Sequence, residues 1–228
     1  MDFFSIPKDF IALFASFIKE HFLLWIEVIK NPINVLKKVD FQTTDSMIPA
    51  LKFGLFTYLL VLILALPSMI LVYSFDISKP IVFLLDFIVT FLSFFLLGVI
   101  FHISGKIFFG HGKFYQSLIT GIYLTAFWPI SVLGDYILLP CSPGVRNSVL
   151  NGSAFKIVDK DYIYIIILMF AALFLFIYLI TKVLPVFRLI HSFGNFRSIL
   201  AAIIGILLLI IVSQLFIFPI YVELTKLF

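Results

Sequence analysis

Five apolar stretches, each long enough to cross a bilayer as a helix, occupy most of this 228-residue sequence. A transmembrane helix needs ~20 predominantly apolar residues. We therefore expect spans at about residues 48–72, 80–102, 117–139, 162–183 and 199–221. They leave no room for a separate soluble domain, so the predicted fold is an all-α integral membrane domain over residues 47–228.

The composition agrees with lipid as the main solvent of the chain. Hydrophobic residues make up 63% of the sequence and charged residues 12%, against ~45–50% and ~25% in soluble domains. The basic residues stand at the ends of apolar runs rather than clustered on one face, which argues against nucleic-acid binding. The single Cys141 permits no internal disulfide.

Residues 1–46 form a separate N-terminal segment in this prediction. Polar residues recur every three to four positions over residues 3–30, opposite a wide face of Phe, Leu and Ile. This pattern predicts an amphipathic helix in the membrane interface; the alternative is a half-buried helix packed against the spans. Asn31-Pro32 is expected to end it, and Pro185 is expected to end the fourth span.

The distribution of Lys and Arg predicts the orientation of the chain. Eleven of these residues fall in the N-terminal segment, around the 103–116 loop and around the 184–198 loop, and five on the opposite side. Because short cytoplasmic loops are enriched in Lys and Arg, we expect a multi-pass protein of the cell membrane. Its N-terminus is then cytoplasmic and its C-terminus lies outside.

Three stretches carry a resemblance to a known family. They are Asn31–Lys37 before the first span, His102–Leu118 continuing to Ala126 and Pro129, and Arg188–Ala202 before the last span. A His, a Gly-containing turn, an aromatic residue and a span ending near Ala-x-x-Pro make up the middle stretch. Over roughly residues 30 to 221 the chain resembles the Ypt-interacting protein (Yip) domain family.

The resemblance implies a prokaryotic-type member of that family, with five spans and a short C-terminal end. Eukaryotic members act in vesicle traffic with Rab-type GTPases and carry an acidic, Tyr-Gly-Pro-containing motif near the first span. The sequence has no such motif, which argues against GTPase binding. For some prokaryotic relatives the resemblance implies association with ABC-type exporters or with envelope stress responses.

Two acidic residues lie within the predicted spans. Asp86 in the second span and Asp135 in the third fall at similar depth in the outer third of the membrane. An ionisable residue at that depth is costly and is a functional candidate by default, so the pair predicts a shared proton or cation site. The alternative is that each carboxylate reaches the outer interface or caps neighbouring backbone.

The cytoplasmic side carries histidines, glycines and basic residues. His102, His111 and His191 are weak candidates for a zinc site, because no pair has the close helical spacing of metal ligands and no Cys joins them. Gly110–Phe114 is interpreted as a turn between spans rather than a phosphate loop, which needs Ser or Thr after the Lys. The candidates for binding lipid headgroups are Lys37, Lys38, Lys106, Lys113, Arg188 and Arg197.

These patterns favour a non-enzymatic membrane protein without a cofactor. The sequence shows no Ser/His/Asp set, no paired acidic motif in a loop and no intramembrane His-Glu motif. The predicted role is a scaffold or accessory subunit for a membrane partner in transport or trafficking. Its expected partners are membrane lipids and another membrane protein or a second copy of the chain. The alternative function is a small ion- or proton-coupled transporter or channel using Asp86 and Asp135.

Overall fold

The computed structural model describes residues 8–41, 44–71, 80–130, 161–212 and residue 215, and most of these residues are helical, with no strand among them. We label the α-helices α1 (Lys8–Lys30), α2 (Pro32–Lys38), α3 (Met47–Leu71), α4 (Pro80–Ile107), α5 (Phe114–Leu124), α6 (Asp161–His191) and α7 (Asn195–Val212). Short 3-10 turns precede α3 at Thr44–Ser46 and follow α5 at Thr125–Phe127.

The boundary between α1 and α2 lies where the sequence predicts it. α1 ends at Lys30, and Pro32 takes the first turn of α2, where a missing N–H costs nothing. The side chain of Asn31 accepts a hydrogen bond from the backbone N–H of Asn34 at 3.3 Å. Asn31 is therefore the N-cap of α2.

α1 is attached to the bundle through its C-terminal half. The indole Nε1 of Trp25 donates to the Ala126 carbonyl at 2.8 Å, and the Tyr178 hydroxyl donates to the Ile29 carbonyl at 2.7 Å. The Lys182 ammonium donates to the Lys30 carbonyl at 2.6 Å. Residues 9–16, by contrast, are all exposed. The chain is helical over Lys8–Lys30, and the amphipathic helix in the membrane interface stays a prediction.

α4 and α5 form a tightly packed hairpin. A Cβ at Gly121 would lie 2.5 Å from Gly98 Cα, and a Cβ at Gly98 would lie 2.7 Å from Leu118 Cα. The two backbones therefore meet at glycine, the arrangement by which small residues permit close packing of membrane helices. The turn between them, residues 108–113, is shorter than the predicted loop because α4 continues to Ile107.

The prediction that Pro185 ends the fourth span is wrong. α6 continues through Pro185 to His191. Proline removes one helical hydrogen bond, but Val186, Phe187 and Ile190 are buried in the core beyond it. That burial holds the last turns in helical form. The expected linker before the fifth span is only residues 192–194, where Ser192 adopts a φ of 57°.

Among the described residues, two helical segments are long and apolar enough to cross a membrane, namely Met47–Leu64 in α3 and Phe87–Ile107 in α4. A third candidate is the pair Ile180–His191 and Asn195–Leu209, which is bent by 111°. The described helices thus point to a membrane protein with two or three such segments. Five spans stay a prediction, since residues 131–139 of the third span and 216–221 of the fifth lie outside the described residues.

The attachment of α1 is testable through Trp25. Trp25→Phe keeps an aromatic ring but removes the donor to the Ala126 carbonyl, so we expect a loss of about 1 kcal/mol in the free energy of unfolding. Hydrogen exchange across residues 8–30 should become faster, and thermal unfolding in detergent should show the loss. Leu23→Ala, at an exposed position of the same helix, serves as the control. Equal free energies of unfolding and equal exchange rates in the two variants would contradict the attachment.

Candidate functional site

Four parts of the chain meet at one end of the helical bundle, which we call the basic end: α2, the α4–α5 turn, the C-terminus of α6 and the N-terminus of α7. The backbone N–H of His111 donates to the His191 carbonyl at 3.2 Å, joining the α4–α5 and α6–α7 turns. The Tyr115 hydroxyl donates to the Phe41 carbonyl. A cavity of about 240 Å³ between α2, α5 and α6 is lined by Leu36, Lys37, Val39, Phe41, Gln116, Leu189 and Ile190.

All the predicted headgroup-binding residues lie on the elements that meet at this end. Lys37 and Lys38 close α2, Lys106 closes α4, Lys113 precedes α5, and Arg188 and Arg197 flank the α6–α7 turn. Except for the half-buried Arg188, these side chains are exposed. The structure therefore gathers residues from three distant parts of the sequence, as positions on one side of a membrane would require. Lipid binding by them stays a prediction.

Some of these basic groups also hold the local structure. Lys38 pairs with Glu27 at 2.6 Å, linking α2 to α1. The Lys106 ammonium donates to the Gly110 carbonyl at 3.0 Å, and Arg188 Nε donates to Ser198 Oγ at 3.3 Å. Each cation keeps further N–H donors, so these bonds leave capacity for an anion.

The C-terminus of α4 is closed by a Schellman motif. The N–H of Gly110 bonds to the Gly105 carbonyl at 3.0 Å, and the N–H of Phe109 bonds to the Lys106 carbonyl at 2.9 Å. In this motif the residue in the position of Phe109 is left-handed and is usually glycine. Phe109 has a φ of 62°, so an ordinary side chain occupies a conformation that favours glycine.

The imidazole of His191 fills a box of glycines between the two turns. Its side chain is 0% exposed. A Cβ at Gly105 would lie 2.3 Å from His191 Cε1, and Cβ atoms at Gly110 and Gly112 would each lie 2.7 Å from Nδ1. Since real Cβ atoms cannot approach so closely, the ring fits only because all three positions are glycine.

Aromatic rings close the remaining sides of the box. The ring centroids of Phe101, Phe187 and Phe193 lie 5.5, 5.9 and 5.4 Å from that of His191. Among the described groups, none meets hydrogen-bond geometry with either ring nitrogen of His191. The imidazole is enclosed by glycines and aromatic rings, and no ligand could enter without moving it.

The other predicted metal candidates do not converge on a metal site. His102 lies 6.3 Å from His191 between ring centroids, and its Nδ1 is 3.2 Å from Ser117 Oγ. His111 meets His191 through backbone. Within the described ranges, no group of three or more His, Cys, Asp or Glu side chains is placed to hold a metal ion.

The predicted pair of intramembrane carboxylates falls largely beyond what the structure describes. Asp86 lies in the second turn of α4, and Asp135 lies outside the described residues. The ion or proton site proposed for them stays a prediction.

The glycine box was missed by the sequence reasoning, which interpreted Gly110 and Gly112 as parts of a turn and His191 as a weak candidate for a zinc site. The available signal was the spacing of Gly105, Gly110 and Gly112 around a span end. Three glycines within eight residues exceed what one turn requires, and they indicate close approach by another group. Nothing in the sequence names His191 as that group.

Comparison of the chain with known protein families, with curated proteins and with solved structures gives no match.

The glycine box predicts a coupling between two distant positions. Gly105→Ala should lower the free energy of unfolding by about 3 kcal/mol, because its Cβ overlaps the His191 ring. In a His191→Ala background the same substitution should cost at least about 1 kcal/mol less. Chemical unfolding of the four variants in detergent measures this coupling.

Gly194→Ala is the matched control, since a Cβ there meets nothing within 4 Å. It should change the free energy of unfolding by no more than about 0.5 kcal/mol. If the double variant loses the sum of the free energies of unfolding that Gly105→Ala and His191→Ala lose singly, the ring does not occupy the box.

Proposed function

We propose that this protein is a non-enzymatic membrane scaffold or accessory subunit that holds a membrane partner through α1. The single observation that carries the proposal is the free half of α1. Its C-terminal half is bonded to the bundle, and its N-terminal half presents apolar side chains to the surroundings.

The exposed side chains form a continuous face. Phe10, Leu13 and Phe14 are spaced as neighbours along a helix surface, and Leu13 is 71% exposed. The rings of Phe10 and Phe14 stack with centroids 6.4 Å apart. Anchors at i, i+3 and i+4 are the pattern by which an amphipathic helix lies in the groove of a partner protein.

The attachment of α1 supports a role in holding a partner. Three hydrogen bonds fix its C-terminal half to α6 and to the 3-10 turn after α5, and the Glu27–Lys38 pair fixes it to α2. The direction of the helix is thus set by the bundle before any partner binds. Preorganisation of this kind lowers the entropy lost on association.

The Yip resemblance supports the same role. Its three stretches, around Asn31, His102 and Arg188, are far apart in the sequence, and all of them reach the basic end. α2 is joined to the C-terminal half of α1 by the Glu27–Lys38 pair. A partner that extends along α1 as far as this pair would also meet the exposed cations of α2.

The proposal is tested by weakening the apolar face of α1. Leu13→Ser with Phe14→Ser should leave the fold intact, because both side chains are exposed, and should lower partner retention at least tenfold. The measurement is the stoichiometry of a membrane protein that co-purifies in mild detergent with the tagged wild-type chain.

A matched control is Phe174→Ser, which removes an aromatic ring 76% exposed on α6. Retention equal to wild type is expected for this control. If the purified chain alone catalyses proton or ion flux in proteoliposomes, and Asp86→Asn abolishes it, the transporter function replaces the scaffold.

A further inference from the structure

We propose that the α4–α5 turn, residues 108–113, binds the headgroup region of an anionic bilayer and inserts the ring of Phe109 into it. This inference goes beyond the proposed function: it requires that the chain is embedded in a membrane, but it does not depend on a partner of α1.

The conformation of Phe109 is the first observation. Its φ of 62° lies in the left-handed region, which is unfavourable for a bulky residue and open to glycine. The Schellman geometry would be satisfied better by glycine, yet a phenylalanine with a ring 82% exposed stands there. Burial of the ring within the protein therefore offers little to offset this strain. A strained residue points to a function, and an apolar environment outside the protein would stabilise this exposed ring.

The position of the turn identifies those surroundings. The apolar segment of α4 that is long enough to span a membrane ends at Ile107, two residues before Phe109. Ile103 and Ile107, one helical turn apart at the end of this segment, are also exposed. A ring immediately beyond the hydrocarbon-facing helix stands at the level of the headgroups, where aromatic side chains are enriched.

The charge of the turn selects the lipid class. Lys106 and Lys113 flank Phe109, and both side chains are exposed. The sequence contains no Asp or Glu from residue 87 to 134 or from residue 162 to 222, so both turns of the basic end are free of carboxylates. Arg197 on α7 adds to the same positive surface. Cations beside an inserted aromatic ring are the pattern of binding to an anionic leaflet.

The turn is also rigid enough to hold the ring at a fixed depth. Lys106 donates to the Gly110 carbonyl, and the backbone N–H of Lys113 bonds to Gln116 Oε1 at 2.9 Å. His111 is tied to the His191 carbonyl from the other side. A bilayer would therefore meet a preformed loop rather than one that must be ordered on contact.

The test places an environment-sensitive dye on the turn. Phe109→Cys is made in a Cys141→Ser background, where no other cysteine remains, labelled with a nitrobenzoxadiazole dye and reconstituted alone. In vesicles with about one third phosphatidylglycerol we expect the emission to shift to the blue relative to pure phosphatidylcholine. Salt should reduce the shift.

Lysine variants test whether the shift in dye emission depends on the positive charge of the turn. Lys106→Gln with Lys113→Gln should remove at least half of the shift, and Lys19→Gln, at an exposed position of α1, should leave it unchanged. Equal emission in both kinds of vesicle would overturn the proposal. So would a dye that is shielded in detergent by a co-purified protein, which would show that a partner covers the turn.

A second variant separates insertion from folding. Phe109→Gly should raise the melting temperature in neutral detergent by about 2–4 °C, because it relieves the left-handed strain. It should lose the extra thermal stability that phosphatidylglycerol confers on the wild-type chain. A glycine variant that is less stable than wild type in detergent, or that gains equally from the anionic lipid, would overturn the proposal.

Discussion

The fit of the His191 ring among three glycines holds the basic end together. Gly105 belongs to the last turns of α4, and Gly110 and Gly112 belong to the loop that follows, so one side chain from α6 fixes the geometry of both. The bond from His111 N–H to the His191 carbonyl adds a backbone link at the same place. Because no Cβ can be accommodated, the contact permits only one relative position of the two turns.

The relative position of the two turns also determines the position of α6 and, through α6, the attachment of α1. α6 can continue beyond Pro185 because its last turns are buried, with the Phe187 ring stacked on the Phe101 ring of α4 at 3.9 Å between centroids. α6 in turn carries Tyr178 and Lys182, which bond to the last residues of α1. The attachment of the N-terminal helix is therefore built on the helix that the glycine box positions. In an apolar solvent, such hydrogen bonds and close packing must provide the specificity that hydrophobic burial provides in water.

The sequence predicts that this fold is helical and membrane-bound better than it predicts which residues are in contact. The end of α1 at Asn31-Pro32 follows from local rules, since proline and an Asn cap act within a few residues. The continuation through Pro185 does not, because it depends on burial of residues that only the tertiary structure brings to the core. The glycine box could not be predicted for the same reason: Gly105 and His191 are separated by 86 positions in the sequence, and their contact has no local signal. Phe109 is an intermediate case. The sequence shows that this residue follows the end of an apolar segment, but it gives no sign of the positive φ.

The basic end is held by internal packing, and the first half of α1, which lies outside that end, is not. The glycine box and its aromatic neighbours hold the α4–α5 turn, so the exposed ring of Phe109 and the cations beside it keep a fixed position relative to α4. The first half of α1 has no comparable support, and its apolar face remains uncovered by the described residues. A rigid surface suits a partner that is laterally fluid, such as a lipid leaflet, because the lipids adapt to the protein. A helix half whose direction is set by its attachment suits a folded partner, because such a partner offers a groove of fixed shape. The two surfaces therefore differ in the shape they present, which is the physical reason for assigning them different partners.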